Sequence, residues 1–172
     1  MLETARLEFR QFTSEDLDKL IELRSDEVVI KYLGGKRLQN PEAIEKRLQA
    51  YINSYEKHGF GVCATIWKET GEMIGWSGLM PLEELGETEV GYGMVKKFWG
   101  KGIGYESAMA WLKYAFETAG LERIVALSIP ENTGSWRIME KCGMKYEKNT
   151  IHFGTECVLY AISKDEFYKL NK

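Results

Sequence analysis

The sequence predicts an α+β domain: one mixed, mostly antiparallel central sheet flanked by helices on both faces. Three observations predict it. Residues 60–67 (FGVCATIW), 72–80 (EMIGWSGLM) and 87–95 (ETEVGYGMV) are strand-like and parted only by short polar turns, as in an antiparallel meander. Downstream, Tyr105, Ala108, Met109, Leu112, Ala115, Phe116 and Ala119 recur at helical spacing. Along the chain the elements read β, α, α, β, β, β, α, β, α, β, β, α, so strands and helices belong to one sheet with helical layers.

Each element has a local reason. Leu7 and Phe9 alternate within residues 5–12, which suits a strand, and Thr13-Ser14-Glu15-Asp16 is a helix-start signal before Leu17, Leu20 and Ile21. Asn40 before Pro41 starts a second helix, because proline suits the first turn. Ile44, Leu48, Tyr51, Ile52 and Tyr55 give that helix an apolar stripe. Thr70-Gly71 reads as a hairpin turn and residues 83–86 as a longer loop. The stripe from Tyr105 ends at Gly120, residues 123–129 form a buried strand, and Asn132 caps a helix running to about Lys141. Residues 144–148 and 151–162 read as two last strands before a short helix from about Lys164.

Composition excludes several function classes. The chain has 172 residues, 44% hydrophobic and 28% charged, with a formal net charge of −3. That is enough for one domain over residues 1–172 with a real core, and it offers no broad basic surface for nucleic acid or anionic membrane. No run approaches a membrane span, and the charged start MLETARLEFR is unlike a signal peptide. Cys63, Cys142 and Cys157 are odd in number and widely spaced, which fits buried thiols in a reducing cytoplasm. His58 and His152 have no metal-ligand spacing, so no metal is expected.

The stretch FWGKGIGYESAMAWLKYAF, residues 98–116, places Gly100, Gly102 and Gly104 between a strand and a helix start. Bare backbone there lets several N–H groups converge, and the helix terminus adds unpaired donors and partial positive charge. The product is an anion site suited to a phosphate or pyrophosphate. GxxxxGK[ST] and GxGxxG are absent, whereas Q/R-x-x-G-x-G/A fits Gly102 and Gly104 with Trp99 at the Q/R position. A ligand-free glycine turn is the alternative.

Taken together, TARLEFRQF, EVGYGMVKKFWGKGIGYESAMAWLKYAF, NTGSWRIMEKCGMKYE and GTECVLYAISKDEF resemble the GNAT family of N-acetyltransferases, specifically its RimJ/RimL-like branch. Trp99, with Glu106 shortly after it, is typical of that branch. The resemblance covers essentially the whole chain. It implies that acetyl-CoA is the cosubstrate and that its pyrophosphate lies on the backbone of Gly100, Lys101, Gly102, Ile103 and Gly104, with Tyr105 nearby. Lys101 either contacts phosphate or is a solvated lysine. The pantetheine arm would follow Met94, Val95 and Lys96 as an added strand would, and Asn132 and Ser135 would flank the arm and thioester. Lys96 stands where many relatives have proline. A homodimer is compatible with the branch.

Acetyl transfer needs a neutral amine, an oxyanion donor and a way to discharge a thiolate. Glu89 is the candidate base, directly or through water, because it shares a strand face with Gly91 and Gly93, which leave that face open; a solvated strand glutamate is the alternative. The amide of Met94 or Val95 is the candidate oxyanion donor. Many GNAT enzymes place a proton-donating tyrosine where this chain has Met139, and the branch pattern offers Ser135 instead, as proton donor or as a positioning hydroxyl. The expected activity is acetyl-CoA-dependent transfer to a primary amine, with a peptide or protein N-terminus as the leading acceptor. A small amine acceptor, such as a polyamine, amino acid or aminoglycoside-like compound, and a catalytically silent acyl-CoA-binding module are the alternatives.

Overall fold

The computed structural model describes residues 2–33, 35, 40–152 and 154–171. Its strands are β1 (Leu2–Glu3), β2 (Leu7–Gln11), β3 (Val62–Trp67), β4 (Glu72–Leu82), β5 (Glu87–Met94), β6 (Arg123–Ser128), β7 (Lys145–His152) and β8 (Thr155–Ser163). They form one sheet in the order β1-β2-β3-β4-β5-β6-β8-β7. Its helices are α1 (Leu17–Arg24), α2 (Glu27–Tyr32), α3 (Pro41–His58), α4 (Ile103–Glu117), α5 (Thr133–Lys141) and α6 (Lys164–Leu170). Neighbouring strands are antiparallel except β5 and β6, which run parallel.

Two apolar clusters hold helices to opposite faces. Ile103, Trp111, Leu112 and Phe116 of α4, with Met139 of α5 and Phe167 of α6, pack against Ile74, Leu79, Val90 and Ile124. Leu20, Leu23, Val29, Ile44, Leu48 and Tyr51 of α1–α3 pack against Val62, Ala64, Met73 and Trp76. Within the first cluster Trp111 donates its indole N–H to Ser77 Oγ at 3.0 Å, and Ser77 meets Thr65 Oγ1 at 2.9 Å, so these two buried hydroxyls are satisfied. Burial of Trp111, Leu112 and Phe116, at roughly 1.5–3 kcal/mol each, outweighs the few tenths of a kcal/mol, roughly, lost by starting α4 on a glycine that offers no capping side chain.

Asn40 caps α3 through Ala43 N–H at 2.9 Å, as its sequence position predicts. Three features depart from the sequence reading. β1 pairs with β2 through Leu2↔Phe9 and Glu3↔Glu8, a two-residue strand too short to show periodicity. Residues 27–32 are helical despite two valines and an isoleucine, because Asp26 accepts the amides of Val28 (2.8 Å) and Val29 (3.2 Å) and Val29 is buried. β7 runs without a break to His152, so Ile151 and His152 belong to it and not to the last strand. β7 is a mostly exposed edge strand with a register shift between Tyr146 and Lys148, which blurs its alternation; Phe153 of the expected last strand lies outside the described residues.

All three cysteines are buried and unpaired. Burial pushes the Cys63 thiol up to about 11 and the Cys142 thiol up to about 12, so both stay protonated and unreactive near neutrality. No helix among the described residues is long and apolar enough to cross a membrane.

Candidate active site

The sheet opens in its middle. β4 and β5 stay in register from Leu82↔Glu87 to Gly75↔Met94, whereas β5 and β6 pair only at Glu89↔Val125. Beyond Glu89 the second edge of β5 is therefore unpaired, and a wedge opens between the two parallel strands. Val95 N–H donates to Ile74 O at 2.9 Å. Amides alternate sides along an antiparallel strand, so Met94 N–H points away from β4 and into the wedge. Of the two candidate oxyanion donors, Met94 and Val95, the Val95 amide is already engaged and the Met94 amide is not committed to β4. The Met94 carbonyl is engaged too, by the Trp99 indole N–H at 2.6 Å. Trp99 also tilts against Tyr32 of α2, ring centroids 5.9 Å apart, and so ties the top of the wedge to the opposite layer. Lys96 is exposed and begins a short 3₁₀ turn past the strand end.

Above the wedge lies the glycine loop. Gly100 (φ 72°) and Gly102 (φ 77°) both adopt the left-handed conformation that side chains disfavour. Gly102 is the N-cap of α4 and supplies no capping side chain, so the first-turn amides of Ile103, Gly104 and Tyr105 are directed outward without a cap. Glu106 N–H closes the first helical bond to Gly102 O at 3.0 Å. Gly104 has a packing reason as well: a Cβ there would sit 2.8 Å from Ile138 Cδ1 of α5. The Ile103 side chain is buried in the core, leaving its backbone for the loop, while Tyr105 is exposed. Lys101 is exposed, its Nζ 5.6 Å from the Phe98 ring.

The loop is clamped from the N-terminal strand. Glu106 accepts from Thr4 Oγ1 (2.6 Å), Arg6 N–H (3.1 Å) and Arg6 Nε (2.7 Å), and Arg6 Nη1 donates onward to the Lys101 carbonyl at 3.1 Å. Burial alone would raise the Glu106 carboxyl, but the Thr4 and Arg6 donors outweigh it and hold it below the usual carboxylate range.

Glu89 sits where the wedge begins. Its Oε1 accepts Leu127 N–H at 3.3 Å, a β6 amide two residues past the last register pair. Burial pushes its carboxyl up to about 7, against the opposing pull of that amide and of Arg47. The open face expected beside it is only half present. Gly91 has empty space at its Cβ position, but above Gly93 that position falls 2.2 Å from the Trp76 ring, so the indole fills it. The Arg24 guanidinium stacks 4.3 Å over Trp76.

From the other layer, Asn132 caps α5 by accepting Ser135 N–H at 3.2 Å. Ser135 Oγ donates to Tyr92 Oη at 3.4 Å, and Tyr92 donates to the Ser135 carbonyl at 3.0 Å. Tyr92 is a site residue that the sequence analysis does not single out; its position two residues before Met94 on the unpaired edge was the available signal. Burial raises its phenol well above the ordinary range, so it stays protonated. Met139 is buried in the core. Ser135 thus stands with Tyr92 on the α4–α5 side, and Glu89 at the wedge itself; the two do not touch. Beyond β6 a cavity of about 290 Å³ lies between Lys31 of α2, Ile129-Pro130-Glu131, and Thr155-Glu156 of β8. Among the described residues no group of three His, Cys, Asp or Glu side chains is placed to hold a metal ion.

A wedge between parallel strands, topped by a glycine loop of unpaired amides, suits an extended thioester with a diphosphate. Comparison with known proteins agrees. The model of the acetyltransferase (GNAT) domain matches residues 6–145. An uncharacterized N-acetyltransferase of Bacillus licheniformis, p20, is 32% identical over 148 residues, covering 85% of this chain and 83% of its own. The FsC-acetyl coenzyme A-N(2)-transacetylase of Aspergillus fumigatus is 28% identical, covering 99% and 79%. A crystal structure of a GNAT-family acetyltransferase from Bacillus anthracis superposes with a TM-score of 0.79 at 28% identity, over 95% of this chain and 98% of that one. The chain belongs to the GNAT family and is an acetyl-CoA-dependent N-acetyltransferase.

Proposed function

We propose that the acceptor is an α-amine, foremost the N-terminal amine of a peptide or protein, and that Glu89 removes its proton directly or through one water. The carrying observation is the Glu89 carboxyl at the start of the wedge, held near 7 by burial. An α-amine has a pKa of about 7.7–8.0 and a lysine amine about 10.4. Proton transfer to a base near 7 therefore costs about 1 kcal/mol for the first and about 5 kcal/mol for the second.

In this reading the amides of Gly100 to Tyr105, with Lys101, hold the pyrophosphate, and the edge of Met94, Val95 and Lys96 guides the pantetheine arm. Asn132 orients the α5 terminus beside the arm. Bound acetyl-CoA supplies the activated acyl group. The neutral amine attacks its carbonyl carbon, Met94 N–H stabilises the charge that grows on the oxygen, and Ser135, backed by the protonated Tyr92, hydrogen-bonds the departing sulfur. The resemblance to the RimJ/RimL-like branch supports a protein terminus. A small amine is the second reading, favoured by the A. fumigatus relative, whose name places its transfer at an N(2) position.

The test is thiol release from acetyl-CoA with matched acceptors: peptides with a free α-amine, the same peptides Nα-blocked but carrying lysine, and small polyamines. Turnover confined to free α-amines is expected. Equal or faster turnover of the blocked lysine peptides or of polyamines would overturn the α-amine assignment.

A further inference from the structure

We propose that the acceptor carries a carboxylate close to its amine and that Arg47 on α3 holds it. This rests on the reading of an α-amine acceptor above.

Residues Ile44, Arg47, Leu48 and Tyr51 fall at i, i+3, i+4 and i+7 of α3. Arg47 therefore shares the face that packs on the sheet, since Ile44, Leu48 and Tyr51 are all buried. A charge on that face is costly unless something pairs it. Yet Arg47 Nε is buried without a hydrogen-bond partner, and Arg47 makes no ion pair among the described residues.

Its surroundings are the walls of the acceptor side. Ile44, Leu48 and Tyr51 pack with Trp76, and Trp76 covers Gly93 on the strand face that carries Glu89, so Arg47 lies on the same side of the sheet as Glu89; it also bears electrostatically on Arg24, Glu89 and His152. Arg24 is itself buried and fixed over Trp76 at 4.3 Å. Arg47 thus bears electrostatically on both the Arg24 guanidinium and the Glu89 carboxyl, without an ion pair to Glu89. An amine at Glu89 whose neighbouring carbon bears a carboxylate would bring that anion to the Arg47 side of the sheet, supplying the missing acceptor for Nε. The same chemistry has two sources: the α-carboxylate of a free amino acid, or an acidic side chain at the start of a peptide.

Thiol release is measured for two matched pairs, a free amino acid against its α-amide and an Asp-initiated tripeptide amide against its Asn-initiated counterpart, with wild type and Arg47→Gln. Wild type is expected to favour the carboxylate member of one pair by roughly ten- to a hundredfold in kcat/KM, and that pair identifies the source. Arg47→Gln erases the preference, leaves KM for acetyl-CoA unchanged and keeps or raises the thermal midpoint. Indifference of wild type to both pairs overturns the proposal but not the α-amine reading. So does an Arg47→Gln variant that retains the preference, or that slows all acceptors alike with a lowered midpoint. If no amine releases thiol, the α-amine reading fails, and calorimetry of the same pairs on the acetyl-CoA-loaded protein decides; equal heats for both members overturn the carboxylate site.

Discussion

The two sides of the wedge are built in opposite ways. On the side of α4, the polar side chains around the glycine loop are engaged: Glu106 takes donors from Thr4 and Arg6, Arg6 reaches the Lys101 carbonyl, and Trp99 takes the Met94 carbonyl. What is left unpaired there is backbone, the first-turn amides of α4. On the side of α1–α3 the backbone is conventional, and the groups under electrostatic tension are side chains: Glu89 near 7, Arg24 lowered to about 10 chiefly by burial, and Arg47 with a buried, unpartnered Nε. The difference follows from what each side would bind. A diphosphate presents the same oxygens in every relative and is met by main chain at a helix terminus. An acceptor that varies between relatives would instead be met by side chains from separate elements.

The contrast breaks first at Glu89. Glu89→Gln is expected to lower kcat/KM at pH 7 by roughly 10²–10³, and to abolish the rising limb expected of wild type up to about pH 7. The sign of the stability effect is set by the raised carboxyl. Wild type is favoured while the group is protonated and loses stability relative to Glu89→Gln as pH climbs from about 4.5 to about 7. Unchanged pH–rate and pH–melting profiles in the variant would place Glu89 outside both roles.

A smaller effect sharpens the other side. Glu106→Gln weakens the clamp on the glycine loop without touching the wedge, so KM for acetyl-CoA is expected to rise about tenfold while kcat changes little. Steady-state kinetics at saturating acceptor measure the split; a kcat loss at constant KM would show that the clamp does not serve the loop. The smallest effects separate the two hydroxyls at the wedge. Tyr92→Phe is expected to lower kcat about fivefold and Ser135→Ala about twofold, because the tyrosine hydroxyl meets both the Ser135 carbonyl and the Ser135 hydroxyl. Reversal of that order would return the proton-donor role to Ser135 alone.

The legible parts of the molecule are those with local causes. The stripe of α4, the Asn40-Pro41 start of α3 and the Asn132 cap each depend on residues within one or two turns. The glycine loop was legible for the same reason, since Gly100 and Gly102 answer a backbone demand at their own positions. α2 was not, because its valines argue against a helix and only the Asp26 cap and the burial of Val29 decide it. Gly93 looked open in the sequence and is filled by Trp76 from the next strand, a register effect. Arg47 was visible as a cation inside an apolar stripe, but its meaning needed α1, β5 and β7 brought around it.

By itself, the sequence determined the order of elements, the mixed sheet and the loop that suits a diphosphate, because periodicity, capping and glycine conformation act over a few residues. Only the tertiary structure decided that β5 and β6 part after Glu89, that the Met94 amide and not that of Val95 faces the gap, and that Glu89 and Arg47, from distant segments, come under each other's electrostatic influence. Strand pairing, burial and charge proximity depend on what other segments place alongside, and no window along the chain contains them.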